Sequence, residues 1–211
     1  MNFSLKKITD YCEKCTTLQP EHLYELERET NLKTLAPQMI SGHYQGHLLK
    51  MFSKMIRPKY ILEIGTFTGY AAQCLADGLV ENGQLHTIEA NEELRYIIEN
   101  GFKKANLSEK ITLHIGDAKK IIPTLDMVFD IVFIDAGKID YSLYFDLIID
   151  KVRSGGLIMA DNVLWSGKVV MANQDKDTKA LHEFNLKIQN DARVENTILP
   201  IRDGIMMMLK K

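Results

Sequence analysis

Between residues 60 and 160, the chain alternates short apolar runs with longer stretches in which apolar and polar residues recur at helical spacing. The apolar runs are Tyr60–Ile64, Leu85–Glu89, Ile111–Ile115, Ile131–Asp135 and Leu157–Ala160. The stretches between them predict helices at about 70–81, 91–105, 117–125 and 140–151. Continuous apolar runs of this length are typical of strands that are buried on both faces. The alternation therefore predicts an α/β fold, with a parallel sheet covered by helices on both sides.

The residues before the first apolar run have helical spacing, with helix boundaries predicted at Pro20 and Pro37. The chain has 211 residues and no linker-like or repeated segment. This length suits one well-buried domain better than two. We therefore predict a single domain, 1–211, in which a helical N-terminal segment (1–56) precedes an α/β core (57–211).

The end of the chain has a different pattern. A last predicted helix, at about 177–191, is followed by the apolar runs 197–199 and 205–209. The short turn between these two runs contains Asp203 and Gly204. Two apolar runs joined in this way predict an antiparallel hairpin, which we place at the edge of the sheet.

Composition narrows the class of protein. The net charge is −2, so the chain has no general basic field of the kind that binds nucleic acid. No apolar run reaches the roughly 18 residues of a membrane span, and the start of the chain has no secretory apolar region. The three cysteines, an odd number, fit a reducing compartment. These features predict a cytoplasmic protein without membrane contact.

The first apolar run ends in the sequence E-x-G-x-x-x-G, formed by Glu63, Gly65 and Gly69. A dinucleotide site requires a glycine where this chain has the bulky Phe67, which argues against NAD or FAD. The second run ends at Glu89, where α/β nucleotide folds hold ribose hydroxyls. The pattern therefore predicts a nucleoside-containing ligand that is not a dinucleotide.

Three oxygen-bearing side chains follow the fourth and fifth runs. Asp135 ends the fourth run, and Asp161 and Asn162 come directly after the fifth. Because the carboxyl ends of neighbouring parallel strands meet at one edge of the sheet, we expect these side chains to lie close together. Two carboxylates and an amide oxygen favour Mg²⁺, with Mn²⁺ or Ca²⁺ as alternatives. The alternative interpretation is that Asp161 and Asn162 only form a turn.

Six segments together resemble a known family. They are LEIGTFTGY (62–70), IEANEE (88–93), GDA (116–118), FIDAGKIDY (133–141), ADNVLWSG (160–167) and LPIRDGIMM (199–207). The chain resembles class I S-adenosylmethionine-dependent methyltransferases, in the cation-dependent group typified by catechol and caffeoyl-CoA O-methyltransferases. The resemblance implies a Rossmann-like, mostly parallel seven-stranded sheet with an antiparallel C-terminal strand. It also implies a homodimer, which is usual in the bacterial branch.

The resemblance assigns roles to individual residues. It makes Asp135, Asp161 and Asn162 the metal ligands and Lys138 the catalytic base. The positions that match its S-adenosylmethionine site are Met39, Ser41, Glu63, Gly65, Gly69, Ala71, Glu89, Asp117, Ala118 and Asp135. Ala71 departs from the serine that the family often carries there. Trp165 either forms a wall for an aromatic acceptor or packs the structure.

The resemblance implies O-methylation of a small aromatic acceptor with neighbouring hydroxyls, such as a catechol. Many relatives have D-A-D-K where this chain has Gly137 in place of the second acid. That difference is compatible with an alternative acceptor, a hydroxylated uridine in tRNA, although the net charge of −2 argues against it. A third reading is a protein that binds S-adenosylmethionine without catalysis. Retention of Lys138 together with all three predicted metal ligands argues against this reading.

Overall fold

The computed structural model describes residues 5–211, which form a seven-stranded sheet with helices on both faces. Residues 1–4 of the predicted helical segment lie outside the described residues. The strands are β1 (Tyr60–Ile64), β2 (Gln84–Glu89), β3 (Ile111–Ile115), β4 (Phe129–Ile134), β5 (Val152–Ala160), β6 (Val194–Leu199) and β7 (Ile205–Lys210). The α-helices are α1 (Leu5–Lys14), α2 (Glu21–Lys33), α3 (Gly42–Ile56), α4 (Tyr70–Ala76), α5 (Arg95–Lys104), α6 (Ala118–Ile121), α7 (Tyr141–Ile148) and α8 (Lys176–Gln189). Short 3₁₀ helices occupy Pro37–Met39, Glu92–Leu94, Ile122–Thr124, Lys138–Asp140, Ile149–Lys151 and Trp165–Val170.

The strand order is β3-β2-β1-β4-β5-β7-β6. Strands β1 to β5 pair in parallel, whereas β7 is antiparallel to both of its neighbours, β5 and β6. The predicted mostly parallel sheet and its antiparallel C-terminal strand are therefore confirmed. The hairpin places β7 inside the sheet, so that β6 becomes the edge strand.

Each face of the sheet buries its own apolar core. One core joins the sheet to α2, α3, α4 and α5, and it includes Leu49 and Phe102. The other joins the sheet to α6, α7 and α8, and it includes Phe145 and Phe184. A sheet covered on both faces explains why β1 and β4 have nearly continuous apolar sequences.

The strand register aligns the carboxyl ends of the central strands. Ile64 of β1 pairs with Ile134 of β4, and Ile134 pairs with Ala160 of β5. The next residue in each chain segment therefore leaves the sheet at the same edge. In open α/β sheets this edge, where the strand order reverses, is where ligands bind.

Several element boundaries differ from those predicted, and two of them differ most. The helix predicted at about 70–81 ends at Ala76, since a Cβ on Gly78 would lie 2.2 Å from the backbone of Ser53. This close approach to α3 leaves no room for another helical turn. Strand β5 begins earlier than predicted, at Val152, before a register irregularity opposite β4. Across the described residues 5–211, no helix is long and apolar enough to cross a membrane.

Candidate active site

A cavity of about 1050 Å³ opens at the carboxyl edge of the sheet. Gly65 after β1, Glu89 at the end of β2, Asp135 after β4 and Asp161 after β5 all line it. The predicted convergence of these residues is therefore present, and it follows directly from the strand register described above.

The turn after β1 depends on glycine because another part of the protein lies against it. Gly65 has φ 99°, and a Cβ there would lie 2.1 Å from the backbone oxygen of Asp135. Gly69 has φ 87°, and a Cβ there would lie 2.7 Å from the ring of Phe102. Only glycine adopts such a backbone without strain. Gly65 thus allows the ends of β1 and β4 to come together.

Glu89 is held in place by the backbone. Its Oε2 accepts a hydrogen bond from the Phe67 N–H at 2.7 Å, and its Oε1 accepts one from the Asn91 N–H at 2.9 Å. Each carboxylate oxygen keeps a further lone pair, which can accept a hydrogen bond from a ribose hydroxyl. Farther along the same wall, Asp117 caps α6 by accepting from the Lys119 N–H, and Ala118 is buried beside it.

Glu63 lies behind this wall and does not line the cavity. Its side chain is fully buried, and Thr87 Oγ1 donates to its Oε2 at 2.5 Å. Burial raises the pKa of Glu63 to about 8, and the negative charges of Asp135 and Glu89 act in the same direction. Burial therefore favours the protonated, neutral form of the Glu63 carboxyl at pH 7.

Asp161 is also buried, at 2% exposure, but its carboxylate has two hydrogen-bond donors. Gln45 Nε2 donates to Oδ2 and the Asn162 N–H donates to Oδ1, both at 2.7 Å. Burial raises the pKa of Asp161 to about 7, and the nearby charge of Asp135 adds to this effect. A cation at this position would offset the repulsion between the two carboxylates.

Lys138 supplies a positive charge at this edge of the sheet. Its Nζ donates to Asp135 Oδ1 at 3.0 Å, to Asn162 Oδ1 at 2.6 Å and to Tyr141 Oη at 2.8 Å. These bonds use all three protons of the ammonium group. The Tyr141 hydroxyl in turn donates to the Asp161 carbonyl oxygen at 3.0 Å. The ring centroid of Trp165 lies 5.8 Å from Lys138 Nζ, and Trp165 also lines the cavity.

This donor set fits a hard divalent ion. Asp135 and Asn162 already accept hydrogen bonds from a cation, the Lys138 ammonium, and the buried Asp161 carboxylate lies close enough to interact with its charge. The described part of the chain contains no group of three or more His, Cys, Asp or Glu side chains placed to hold a metal. A metal at this edge would therefore need the amide oxygen of Asn162 as a third protein ligand beside Asp135 and Asp161.

A family model described as O-methyltransferase matches residues 13–211, nearly the whole chain. The chain belongs to this family of S-adenosylmethionine-dependent O-methyltransferases. Caffeoyl-CoA O-methyltransferase 1 of Nicotiana tabacum is 34% identical over 205 residues, which cover 90% of this chain and 84% of the relative.

Solved structures of O-methyltransferases and related enzymes have the same fold. An O-methyltransferase from Bacillus cereus in complex with SAH superposes with a TM-score of 0.90 and 27% identity, covering 97% of both chains. The SAH-bound methyltransferase PaMTH1 of Podospora anserina gives a TM-score of 0.91 at 26% identity, covering 100% of this chain and 98% of that one. The predicted family and its Rossmann-like architecture are therefore confirmed.

The remaining residues that the resemblance assigns to the S-adenosylmethionine site of this O-methyltransferase lie in or near two adjoining cavities. Met39 lines the large cavity, whereas Ser41 and Ala71 line a small adjoining cavity. Gly69 lines neither cavity, because its role is to begin α4 against Phe102.

Three side chains around the site were not predicted from sequence. Gln45 holds Asp161 from a position 116 residues away, and no sequence signal marks that contact. Tyr141 lies three residues after Lys138, inside a segment that the sequence had already identified. Arg202 lines the cavity from the turn between β6 and β7, in the last of the six segments.

Proposed function

We propose that this protein transfers the methyl group of S-adenosylmethionine to a hydroxyl of a small catechol-like aromatic, with a divalent ion bound by Asp135, Asp161 and Asn162. The observation that carries the proposal is the placement of these three side chains at one edge of the cavity, where Asp135 and Asn162 both accept hydrogen bonds from the Lys138 ammonium. We further infer a cytoplasmic location, which the composition of the chain supports.

The shape of the site supports the donor half of the proposal. Glu89 has free lone pairs for the ribose hydroxyls, and Asp117 and Ala118 form the wall for the adenine. Gly65 and Met39 line the space between this wall and Asp135. Ser41 and Ala71 line the adjoining small cavity together with Gly65 and Asp135, which supports their assignment to the methionine end of the donor.

The acceptor half has aromatic and aliphatic walls. Trp165, Tyr144 and Ile139 line the same cavity as the oxygen donors. Flat apolar surfaces suit a planar ring, since aromatic side chains pack favourably against other rings. Trp165 follows Asn162 by three residues, so this wall adjoins the hydroxyl-binding position.

Methyl transfer is an in-line displacement in which the acceptor oxygen forms a bond to the methyl carbon while the sulfur–carbon bond breaks. A divalent ion at this site would supply Lewis acidity, which lowers the pKa of the acceptor hydroxyl. In its neutral form, Lys138 accepts the hydroxyl proton at Nζ, as a general base. Asp135, Asn162 and Tyr141 orient that nitrogen, and the products are a methyl ether and S-adenosylhomocysteine.

The first prediction tests the metal. EDTA should abolish methylation of a catechol while donor affinity, measured by calorimetry, is largely retained, because Glu89 and the adenine wall are independent of the ion. Asp161→Ala should behave in the same way. Asp191→Asn is a matched control, since Asp191 pairs with Arg193 at the surface instead. Full turnover in EDTA would remove the metal from the mechanism.

The same assay separates the alternative acceptors. Cell extract is incubated with isotopically labelled S-adenosylmethionine, and the labelled products are identified by mass spectrometry. Label in a small aromatic ether supports the proposal. Label confined to tRNA nucleosides would keep the chemistry and replace the acceptor. Donor binding without any labelled product would favour the non-catalytic reading.

A further inference from the structure

Arg202 occupies an unusual backbone position at the edge of the cavity. It lies in the turn between β6 and β7 and has φ 49°, a left-handed conformation that L side chains rarely adopt. Such a conformation is sterically unfavourable in residues other than glycine, asparagine and aspartate. Strained residues of this kind concentrate at functional sites. The long side chain at this position therefore calls for a functional explanation.

The Arg202 side chain is fixed by the segment that covers the donor side. Its Nη1 donates to the Ile40 carbonyl oxygen at 3.0 Å and also to the Ser41 carbonyl oxygen. The neighbouring Asp203 accepts a hydrogen bond from the Ser166 N–H at 3.2 Å. The turn thus lies between residues 40–41 and the loop that carries Trp165, on the acceptor side of the cavity.

Among the cationic side chains that line the cavity, Arg202 differs in having no carboxylate partner in the described part of the chain. Lys138 pairs with Asp135 at 3.0 Å, and Lys119 pairs with Asp140 at 3.1 Å. Within residues 5–211, no carboxylate lies within ion-pair distance of the Arg202 guanidinium. Its bonded partners there are two neutral carbonyl oxygens, both on Nη1. Its charge is therefore not neutralised, and Nε and Nη2 are left as donors.

We propose that Arg202 forms a subsite for an anionic group, a carboxylate, on the methyl acceptor; this rests on the proposed O-methylation of a catechol-like aromatic. A guanidinium presents paired N–H donors in a planar fork that matches a carboxylate. The carbonyl oxygens of residues 40 and 41 hold that fork at the cavity wall. The same turn contacts the loop that carries Trp165, the proposed acceptor wall, through the bond from the Ser166 N–H to Asp203, so we assign the group that Arg202 binds to the acceptor.

The test compares two acceptors that differ in one group, 3,4-dihydroxybenzoate and its neutral amide, 3,4-dihydroxybenzamide. In the intact enzyme the ratio of their kcat/KM values should favour the carboxylate. In Arg202→Gln that ratio should fall about 10–100-fold, mainly through KM for the benzoate. In Arg202→Lys, which keeps the charge without the planar fork of donors, the ratio should lie between that of the intact enzyme and that of Arg202→Gln. Lys119→Gln, which removes a cavity cation that already has a carboxylate partner, should leave the ratio unchanged.

Other outcomes would overturn the subsite. An equal loss with both acceptors would mean that Arg202 only holds residues 40–41 in place. Weaker binding of S-adenosylmethionine by calorimetry in Arg202→Gln, with an unchanged ratio, would assign the guanidinium to the donor carboxylate. If neither acceptor is methylated, the proposed function fails separately. In that case calorimetry still tests the subsite. The affinity for 3,4-dihydroxybenzoate, measured in the presence of S-adenosylhomocysteine, should be lower in Arg202→Gln than in the intact protein.

Discussion

At the scale of single residues, the proposal makes Lys138 the general base, and the alternative is that Lys138 contributes only its positive charge. Lys138→Ala should keep donor and metal binding, because none of their proposed ligands is lost. The chemical step should slow by about 10²–10⁴-fold, the usual contribution of a general base. The loss should shrink at high pH, where the acceptor hydroxyl ionises without help. Single-turnover rates measured between pH 7 and 10 provide the check.

Lys138→Arg is the matched control for that prediction. Arginine keeps the positive charge between Asp135 and Asn162, but its guanidinium cannot be deprotonated in a protein. We expect this variant to be as slow as Lys138→Ala. Near-normal turnover in Lys138→Arg would show that the site needs only the charge, and the base would then lie elsewhere.

Glu63 predicts a pH dependence of stability. Its pKa is about 8 in the folded protein and near 4.5 when unfolded, so the folded state holds the extra proton between these values. The contribution of Glu63 to the free energy of unfolding is therefore largest below pH 4.5. This contribution decreases by about 3–5 kcal/mol as the pH rises towards 8. Glu63→Gln, which mimics the protonated acid, should lack this loss.

Urea unfolding of the ligand-free protein at pH 5 and pH 8 measures the effect. The difference between the intact protein and Glu63→Gln isolates this carboxyl, since the other titrating groups are common to both. The free energy of unfolding of Glu63→Gln minus that of the intact protein should be larger at pH 8 than at pH 5. A difference that stays constant with pH would mean that Glu63 is ionised when buried.

The sequence was informative about residues that end a strand. Asp135, Asp161 and Asn162 could be predicted as neighbours because parallel strands bring their carboxyl ends to one edge. Gln45 could not, because it reaches Asp161 from α3, and helix packing across 116 residues has no local pattern. The neutral state of Glu63 was missed for a related reason. Burial is a property of the assembled layers, and the letters around Glu63 match those of any strand-end acid.

At the scale of elements, the junction between β1 and β4 tolerates no side chain at Gly65. Gly65→Ala would place a Cβ 2.1 Å from the Asp135 backbone oxygen, at φ 99°. We expect a loss of about 2–4 kcal/mol of stability, from strain and from separation of the two strand ends. Gly137→Ala is the control, because a Cβ there meets nothing within 4 Å. It should change stability by less than about 0.5 kcal/mol in thermal or urea unfolding.

Element types were easier to predict than element ends. Strands β1, β2, β4 and the second half of β5 were predicted from apolar runs, because they are buried on both faces. Strand β3 was also predicted from its apolar run, although it is an edge strand in which only Ile111 is buried. The end of α4 was not predictable, since it is fixed by the backbone of α3 against Gly78. The position of β7 inside the sheet also escaped the sequence, because a hairpin pattern does not specify which of its strands joins the existing edge.

At the scale of the whole molecule, we predict a homodimer. The prediction rests on the resemblance to the bacterial branch of the family, and closed two-fold dimers are the commonest oligomers of soluble proteins. Light scattering at micromolar concentration should give twice the mass of one chain. The measurement is repeated with S-adenosylhomocysteine, so that a ligand-dependent equilibrium is detected. A mass of one chain under both conditions would refute the prediction.

The strand order has a consequence for how such an enzyme can change its substrates. The proposed donor contacts Gly65, Glu89 and Asp117 follow β1, β2 and β3, on one side of the sheet. The proposed metal ligands and Arg202 follow β4, β5 and β6, on the other. Most of the proposed donor contacts and most of the proposed acceptor contacts thus lie on different stretches of sequence. Mutagenesis confined to residues 136–137, 139–140, 163–167 and 200–204, which keeps Lys138 and the metal ligands, should therefore sample new acceptors while S-adenosylmethionine serves every variant.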